Sequence, residues 1–259
     1  MVIVLCRVGI GALGLWALVY WRGLLMPRDW RVWAGFAFMG LFNNLLPFVL
    51  FVQAQRTLDS GMTATLNATT PLFTALVAHA FIQDERLKPR VVIAVAIAAV
   101  GVWALTGSPS LAGDAVYALW MPLLAAICYA FAAVFARRMG KIAPEVAATG
   151  MLTCSSVMSV LLVFLTGQHE SVTLSLAPVL AVIALGLAST SLAYLLYFKI
   201  LNSAGATALS LVTVLIPLSA TTLGVLFLNE AIGVLTVVGM ALIALSLIVF
   251  NGWWRFDKK

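Results

Sequence analysis

The sequence predicts an all-α integral membrane protein of about nine transmembrane helices, built as two inverted five-helix repeats with the first helix missing. Three observations predict it. The 259 residues are 63% hydrophobic and 9% charged, with a mean hydropathy of +1.10, whereas a soluble domain is about half apolar and a quarter charged. Apolar runs long enough to cross a bilayer recur along the whole chain. The two halves of the chain also match one another at an almost constant shift.

The apolar runs lie near 1–20, 32–55, 62–82, 90–106, 115–136, 146–165, 177–198, 206–228 and 233–250. Each approaches the roughly 20 residues that a spanning helix needs. In hydrocarbon every backbone amide must be bonded within its own segment or in a closed barrel, so runs this continuous are expected to be helices. The first twenty residues have no basic start, short apolar stretch and small-residue cleavage site, and read as a retained span rather than a signal peptide. Cys6, Cys128 and Cys154 fall inside apolar runs without CxxC spacing, so neither a disulfide framework nor a metal site is expected.

The charges set the orientation. Net charge is +6, but the cations cluster between apolar runs rather than along one face, which argues against nucleic acid. Arg22, Arg28, Arg31, Arg86, Lys88, Arg90, Arg137, Arg138, Lys141, Lys199, Arg255, Lys258 and Lys259 fall in alternate loops, against Arg56 alone on the other side. Basic residues in short loops stay cytoplasmic. The expectation is a multi-pass protein of a bacterial-type inner membrane, with its C-terminus cytoplasmic and the present N-terminus outside.

The repeat is explicit at a shift of 146: Gly40-Leu41 matches Gly186-Leu187, Leu50 matches Leu196 and Pro71-Leu72 matches Pro217-Leu218. At 145, Glu85 matches Glu230 and Gly107 matches Gly252. The copies run 1–107 and 113–252. Only the run 115–136 has no partner, so the shift predicts either a coding start upstream of Met1 or a fragment. Five helices is an odd number, so the second copy inserts upside down, the arrangement in which solute sites form near the midplane.

Polar residues within the spans are the candidate solute ligands. Thr63, Asn67, Thr70 and Thr74 share one helical face, and a polar stripe either lines a pathway or joins helices by hydrogen bonds. Asn43 and Asn44 lie near mid-span, as do their mates Ser189 and Thr190. Pro71 and Pro217 carry no amide hydrogen, so they free the carbonyls of Asn67 and Thr213 four residues earlier. Either these are helix breaks at a binding site, or the prolines bend packed helices while Ser and Thr hydroxyls satisfy the backbone.

Tyr129, Tyr194 and Tyr197 can stack on a solute or simply pack. Arg7 lies inside a span, where a cation either binds an anionic group or snorkels outward. His79 is either a proton-active group or a hydrogen-bonded structural histidine. Glu85 and Glu230 precede helices and read as caps. Trp253 and Trp254 read as an interfacial belt, and Ala94, Ala98 and Gly101 as a close-packing face.

The stretches Phe42-Asn43-Asn44-Leu45-Leu46-Pro47, Ser60-Gly61-Met62-Thr63-Ala64-Thr65-Leu66-Asn67-Ala68-Thr69-Thr70-Pro71-Leu72-Phe73-Thr74 and Asp84-Glu85-Arg86-Leu87 resemble the EamA family of the drug/metabolite transporter superfamily. The second half is similar, as Ser203-Ala204-Gly205-Ala206-Thr207 through Pro217 to Leu228-Asn229-Glu230. Gly113-Asp114 through Ala125, Cys128-Tyr129-Ala130 and Arg137-Arg138 resemble the opening helix of the family's second repeat.

The resemblance implies a ten-helix secondary transporter (permease or exporter) of small polar metabolites such as amino acids, working by alternating access, without a cofactor and possible as a homodimer. Its partners are then a small-molecule solute and the bilayer. The departure here is the missing first helix, which lines the cavity in such proteins, and this keeps an inactive truncated fragment among the alternatives. A channel or a non-transporting scaffold are the others. An ATP-driven pump lacks its nucleotide loop, and an enzyme would need clustered His, Asp or Glu within the spans. No span carries a mid-depth Asp or Glu, so no coupling ion is singled out.

Overall fold

The computed structural model describes residues 2–82, 87–106, 113–136, 138–139, 142–167, 176–194, 196, 215–230 and 232–252. Every regular element among them is helical. In chain order they are α1 (Val2–Trp21), α2 (Trp30–Ala54), α3 (Ser60–Asn67), α4 (Thr70–Phe81), α5 (Pro89–Thr106), α6 (Val116–Ala136), α7 (Pro144–Leu165), α8 (Leu176–Gly186, continued by a π-helical turn Leu187–Leu192), α9 (Leu215–Leu228) and α10 (Val234–Asn251). Among the described residues six helices, α1, α2, α5, α6, α7 and α10, are long and apolar enough to cross a membrane. Lys199, Arg86, Glu85, Tyr197, Thr213 and the Trp253-Trp254 belt lie outside the described residues.

Local chemistry fixes the ends. Asp29 is extended and its side chain accepts from the amide of Arg31 at 2.9 Å, capping α2. Proline opens α5 and α7, where its missing amide hydrogen costs nothing. Gly252 closes α10 with φ +71 and donates to Ile248 O at 3.0 Å; that left-handed step suits glycine alone.

The expected continuous span 62–82 is in fact two helices, because α3 ends at Asn67 and α4 restarts at Thr70. The intervening residues turn so that Thr69 donates its hydroxyl to Leu66 O at 2.6 Å. α2 carries a π-helical turn at Leu41–Leu45 and α8 carries one at Leu187–Leu192. The two begin immediately after Gly40 and Gly186, at the shift found in the sequence.

The chain divides into two compact units. The first comprises residues 1–49 and 135–209, the second residues 50–134 and 210–259. In the first unit α1 packs on α7 and α8, and α2 packs on α7. Glycine permits these approaches. A Cβ on Gly40 would lie 2.8 Å from Met151 O, and one on Gly186 would lie 2.7 Å from the Ile10 side chain. Phe36, wholly buried, seats its ring against Gly150. Trp16 of α1 donates to Thr153 Oγ1 of α7 at 2.9 Å.

In the second unit α5 and α10 make the principal crossing. Gly101 and Gly239 meet there, with a Cβ on Gly101 falling 3.0 Å from Gly239 O and a Cβ on Gly239 falling 2.8 Å from Gly101 O. Ala94 and Ala98 are buried beside Val249 and Leu72. Small residues at a membrane crossing let dispersion and backbone contact act over short distances. A second cluster joins Ala54, Leu58, Met62 and Leu66 to Leu119, Leu123 and Ile243.

Candidate functional site

The π-helical turn of α2 places two consecutive amides, Asn43 and Asn44, on one partner. Widening to i→i+5 hydrogen bonding narrows the angle between successive side chains, and such turns concentrate at functional positions. Asn43 donates to the hydroxyl of Tyr194 at 3.2 Å, and that hydroxyl donates to Asn44 Oδ1 at 3.4 Å. Asn44, fully buried, donates to Ser155 Oγ on α7 at 3.2 Å. Ser155 in turn directs its hydroxyl to Gly40 O at 3.0 Å and Met151 O at 2.8 Å. Asn43 also lies 3.4 Å from the Met151 sulfur. Asn44 stands about 20 Å along a 25-residue helix, close to mid-depth.

The second π-helical turn mirrors this on α8. Thr190, almost fully buried, donates to Leu185 O and accepts from Arg7 Nε, both at 3.2 Å. Ser191 donates to Gly11 O on α1 at 3.0 Å. The Arg7 guanidinium carbon sits 3.8 Å from the centre of the Phe48 ring, a cation–π contact. Phe48 is one helical turn beyond Asn44, and Tyr194 is one turn beyond Thr190. The first unit thus holds two polar groups one helical turn apart, Arg7 on Thr190 and Asn43 with Asn44 on Tyr194. Of the expected ligands it gathers Asn43, Asn44, Thr190 and Tyr194. Ser189 is exposed on the same turn.

The remaining expected ligands belong to the second unit. Thr63 is buried and its hydroxyl has no hydrogen-bond partner among the described residues. Asn67 is half-buried, and Thr70 donates to its backbone carbonyl at 2.6 Å, with its Oδ1 at 3.3 Å. The carbonyl freed by Pro71 is thus held by a hydroxyl. Thr74 repeats the pattern on Thr70 O at 2.9 Å. Tyr129 is half-buried with its ring 6.2 Å from that of Phe51. Pro217 lies in the first turn of α9 as described. His79 is exposed in the last turn of α4.

Glu230 is a cap, as its position before a helix led one to expect, but of another helix. It accepts from Ser60 N at 2.9 Å and Ser60 Oγ at 2.7 Å, at the start of α3 rather than of α10. Asp59, the residue before, has its carboxyl raised above the ordinary aspartate value by burial and then by the neighbouring Glu230 charge. A groove of about 600 Å³ runs among α9, α10, Thr65 and Ala68. Its lining is almost wholly apolar, so a polar solute would gain nothing there.

Sequence reasoning passed over Ser155 and Ser191. For Ser155 a signal existed, because Met151, Ser155 and Ser159 recur every four residues on α7 and both hydroxyls are buried. For Ser191 none did, since only the π-helical turn brings it round to α1.

Helices of this length and apolarity, with amides and a cation held among them, define a multi-pass membrane protein. The model of the EamA-like transporter family matches residues 1–107 and again 116–252, and the chain belongs to that family, within the drug/metabolite transporters. It is 23% identical over 256 residues to an uncharacterized transporter of Bacillus subtilis (strain 168), YoaV, covering 98% of this chain and 87% of that one. A solved crystal structure shares the fold with a TM-score of 0.66 at 23% identity, covering 95% of this chain and 86% of that one.

Proposed function

We propose that this chain is a secondary transporter that carries small polar solutes, amino acids among them, across a bacterial-type inner membrane by alternating access. The observation that carries the reading is the pair of polar groups held among the apolar helices of the first unit, Asn43 and Asn44 on Tyr194 and Arg7 on Thr190. Polar groups inside a span are costly unless they serve a pathway or one another. Here Asn44 and Thr190 sit on π-helical turns in corresponding positions.

Packing supports two inverted copies. The sequence shift pairs α1 with α7 and α2 with α8. The turn of α2 packs on α7 and the turn of α8 packs on α1, so equivalent helices make equivalent contacts. The pairing of α5 with α10 across Gly101 and Gly239 fits the same relation. Two near-equivalent inverted copies can exchange conformations and so expose one site to either side. Loop contacts agree with the charge-derived orientation. Arg22 bonds Glu145 at 2.7 Å, joining two loops assigned to the cytoplasm. Glu230 bonds Ser60, joining two assigned outside.

Counterflow in proteoliposomes tests the reading. Saturable, trans-stimulated exchange of a labelled polar solute is expected. Non-saturable conductance would instead make the protein a channel, and no flux of any solute a scaffold or an inactive fragment.

A further inference from the structure

We infer that the Glu230 carboxylate is a latch holding the α9–α10 turn on the start of α3, and that Asp59 beside it loosens the latch when it ionises. The use of α9 as a gate rests on the transporter reading above; the latch itself rests on the contacts alone.

Asp59 stands at the N-cap position of α3 with extended backbone, yet its side chain makes no cap bond. Aspartate is among the best caps for its own helix, so a local solution was at hand. The capping falls instead to a residue 170 positions away. The Glu230 carboxylate accepts from Ser60 N at 2.9 Å and from Ser60 Oγ at 2.7 Å, which ties two segments together as well as ending one. Asn229, left-handed at φ +54, a step that asparagine tolerates better than most residues, turns the chain. Glu230 then donates its amide to Gly224 O at 3.2 Å while its carboxylate lies against Gly224, where a Cβ would meet it.

α9 is the element that this tie controls. Gly224 is its one buried residue, and Leu226 and Phe227 near its end are 69% and 75% exposed. It rests on α3 where Thr221 meets Gly61, and towards α10 lies the groove of about 600 Å³. A helix with a void beside it and few buried contacts belongs to the parts of a fold that open locally, so the two bonds to Ser60 decide where its end sits. The charge of Asp59 acts on those bonds. Burial first, and then the Glu230 charge, raise its carboxyl above the ordinary aspartate value, so the closed latch favours protonated Asp59 and ionised Asp59 disfavours the closed latch. The latch is tightest below the ordinary value and loosens as pH rises through the raised one. α3, α9 and α10 carry no charged residue, and Arg56, in the loop before α3, is exposed and screened by solvent.

Hydrogen exchange of the full chain in lipid nanodiscs, corrected for the intrinsic rate, tests the latch. From about pH 5 to 7.5, opening of the last turn of α9 and of the first turn of α3 should rise together several-fold, and Asp59→Asn should hold both at the low-pH level. Glu230→Ala should open both about tenfold at either pH. Gly224→Ala displaces the carboxylate without removing it, and serves if Glu230→Ala does not elute as a single folded species. A rise confined to α3 makes Glu230 a simple cap and overturns the latch; a pH response retained by Asp59→Asn overturns the part given to Asp59. In proteoliposomes with equal pH on both sides, saturable counterflow of a labelled polar solute should be several-fold faster at the higher pH and flat in Asp59→Asn. Flat counterflow in the wild type overturns the gate and leaves the transporter standing. If no solute moves with the wild type, the transporter reading falls and the gate with it, while exchange still decides the latch.

Discussion

Thr70 donates its hydroxyl to the backbone carbonyl of Asn67 at 2.6 Å, standing in for the amide hydrogen that Pro71 does not have. The bond closes the gap between α3 and α4. The helix break is therefore a satisfied structure, and the Asn67 side chain beside it is not needed to complete the backbone.

The hydroxyl and the proline are then coupled. Thr70→Val should cost about 1–3 kcal/mol, the usual penalty of an unsatisfied buried acceptor. Pro71→Ala restores a donor and should return part of that loss in the double variant. Unfolding in mixed micelles across the four-member cycle measures it, and strictly additive effects would dissociate the two residues.

Asn67→Leu should abolish transport while leaving insertion and folded yield nearly unchanged, because the side chain is half-buried and meets the Thr70 hydroxyl only at 3.3 Å. Unchanged uptake by this variant removes Asn67 from the pathway.

Glycine positions give a paired test. Gly101→Ala puts a methyl 2.9 Å from Ile243 Cγ1 and 3.0 Å from Gly239 O, and overpacking of that kind costs about 1–3 kcal/mol. Gly9→Ala meets nothing within 4 Å and should be neutral or stabilising by up to about 1 kcal/mol. The two melting temperatures in detergent decide it; equal shifts would contradict the α5–α10 crossing.

Asp59 predicts a pH dependence. Its carboxyl is raised above 3.8 by burial and by Glu230, so the folded state binds the proton more tightly than the unfolded chain does. Its contribution to stability is complete below the unfolded value and is lost as pH rises through the folded one. Asp59→Asn should flatten the stability profile from about pH 4 upward and make the variant the more stable at neutral pH. Identical profiles for variant and wild type between pH 3.5 and 7 would refute the coupling.

Much of the architecture was readable from hydropathy alone, since six of the apolar runs became helices of spanning length with ends within a few residues of those expected. Periodicity could not show where the helical hydrogen-bond pattern changes. The break at Ala68–Thr69 follows from hydroxyls turning back on carbonyls, and the π-helical turns leave no compositional mark. Both therefore came only from the backbone. The repeat shift did pair Asn44 with Thr190, yet nothing local linked Asn44 to Tyr194 or Ser155, more than a hundred residues away. Glu230 shows the same limit: its helix was assumed to be the next one along the chain, while its partner lies 170 residues upstream.

Each π-helical turn holds one residue more than a regular turn would. Removing a single residue from 41–45 would close the turn to a regular one and leave the helix beyond it in nearly its present register. Phe48 would keep its place over Arg7, while Asn43 and Asn44 would no longer both reach Tyr194. A deletion there should therefore be tolerated by the packing and felt at the amides alone.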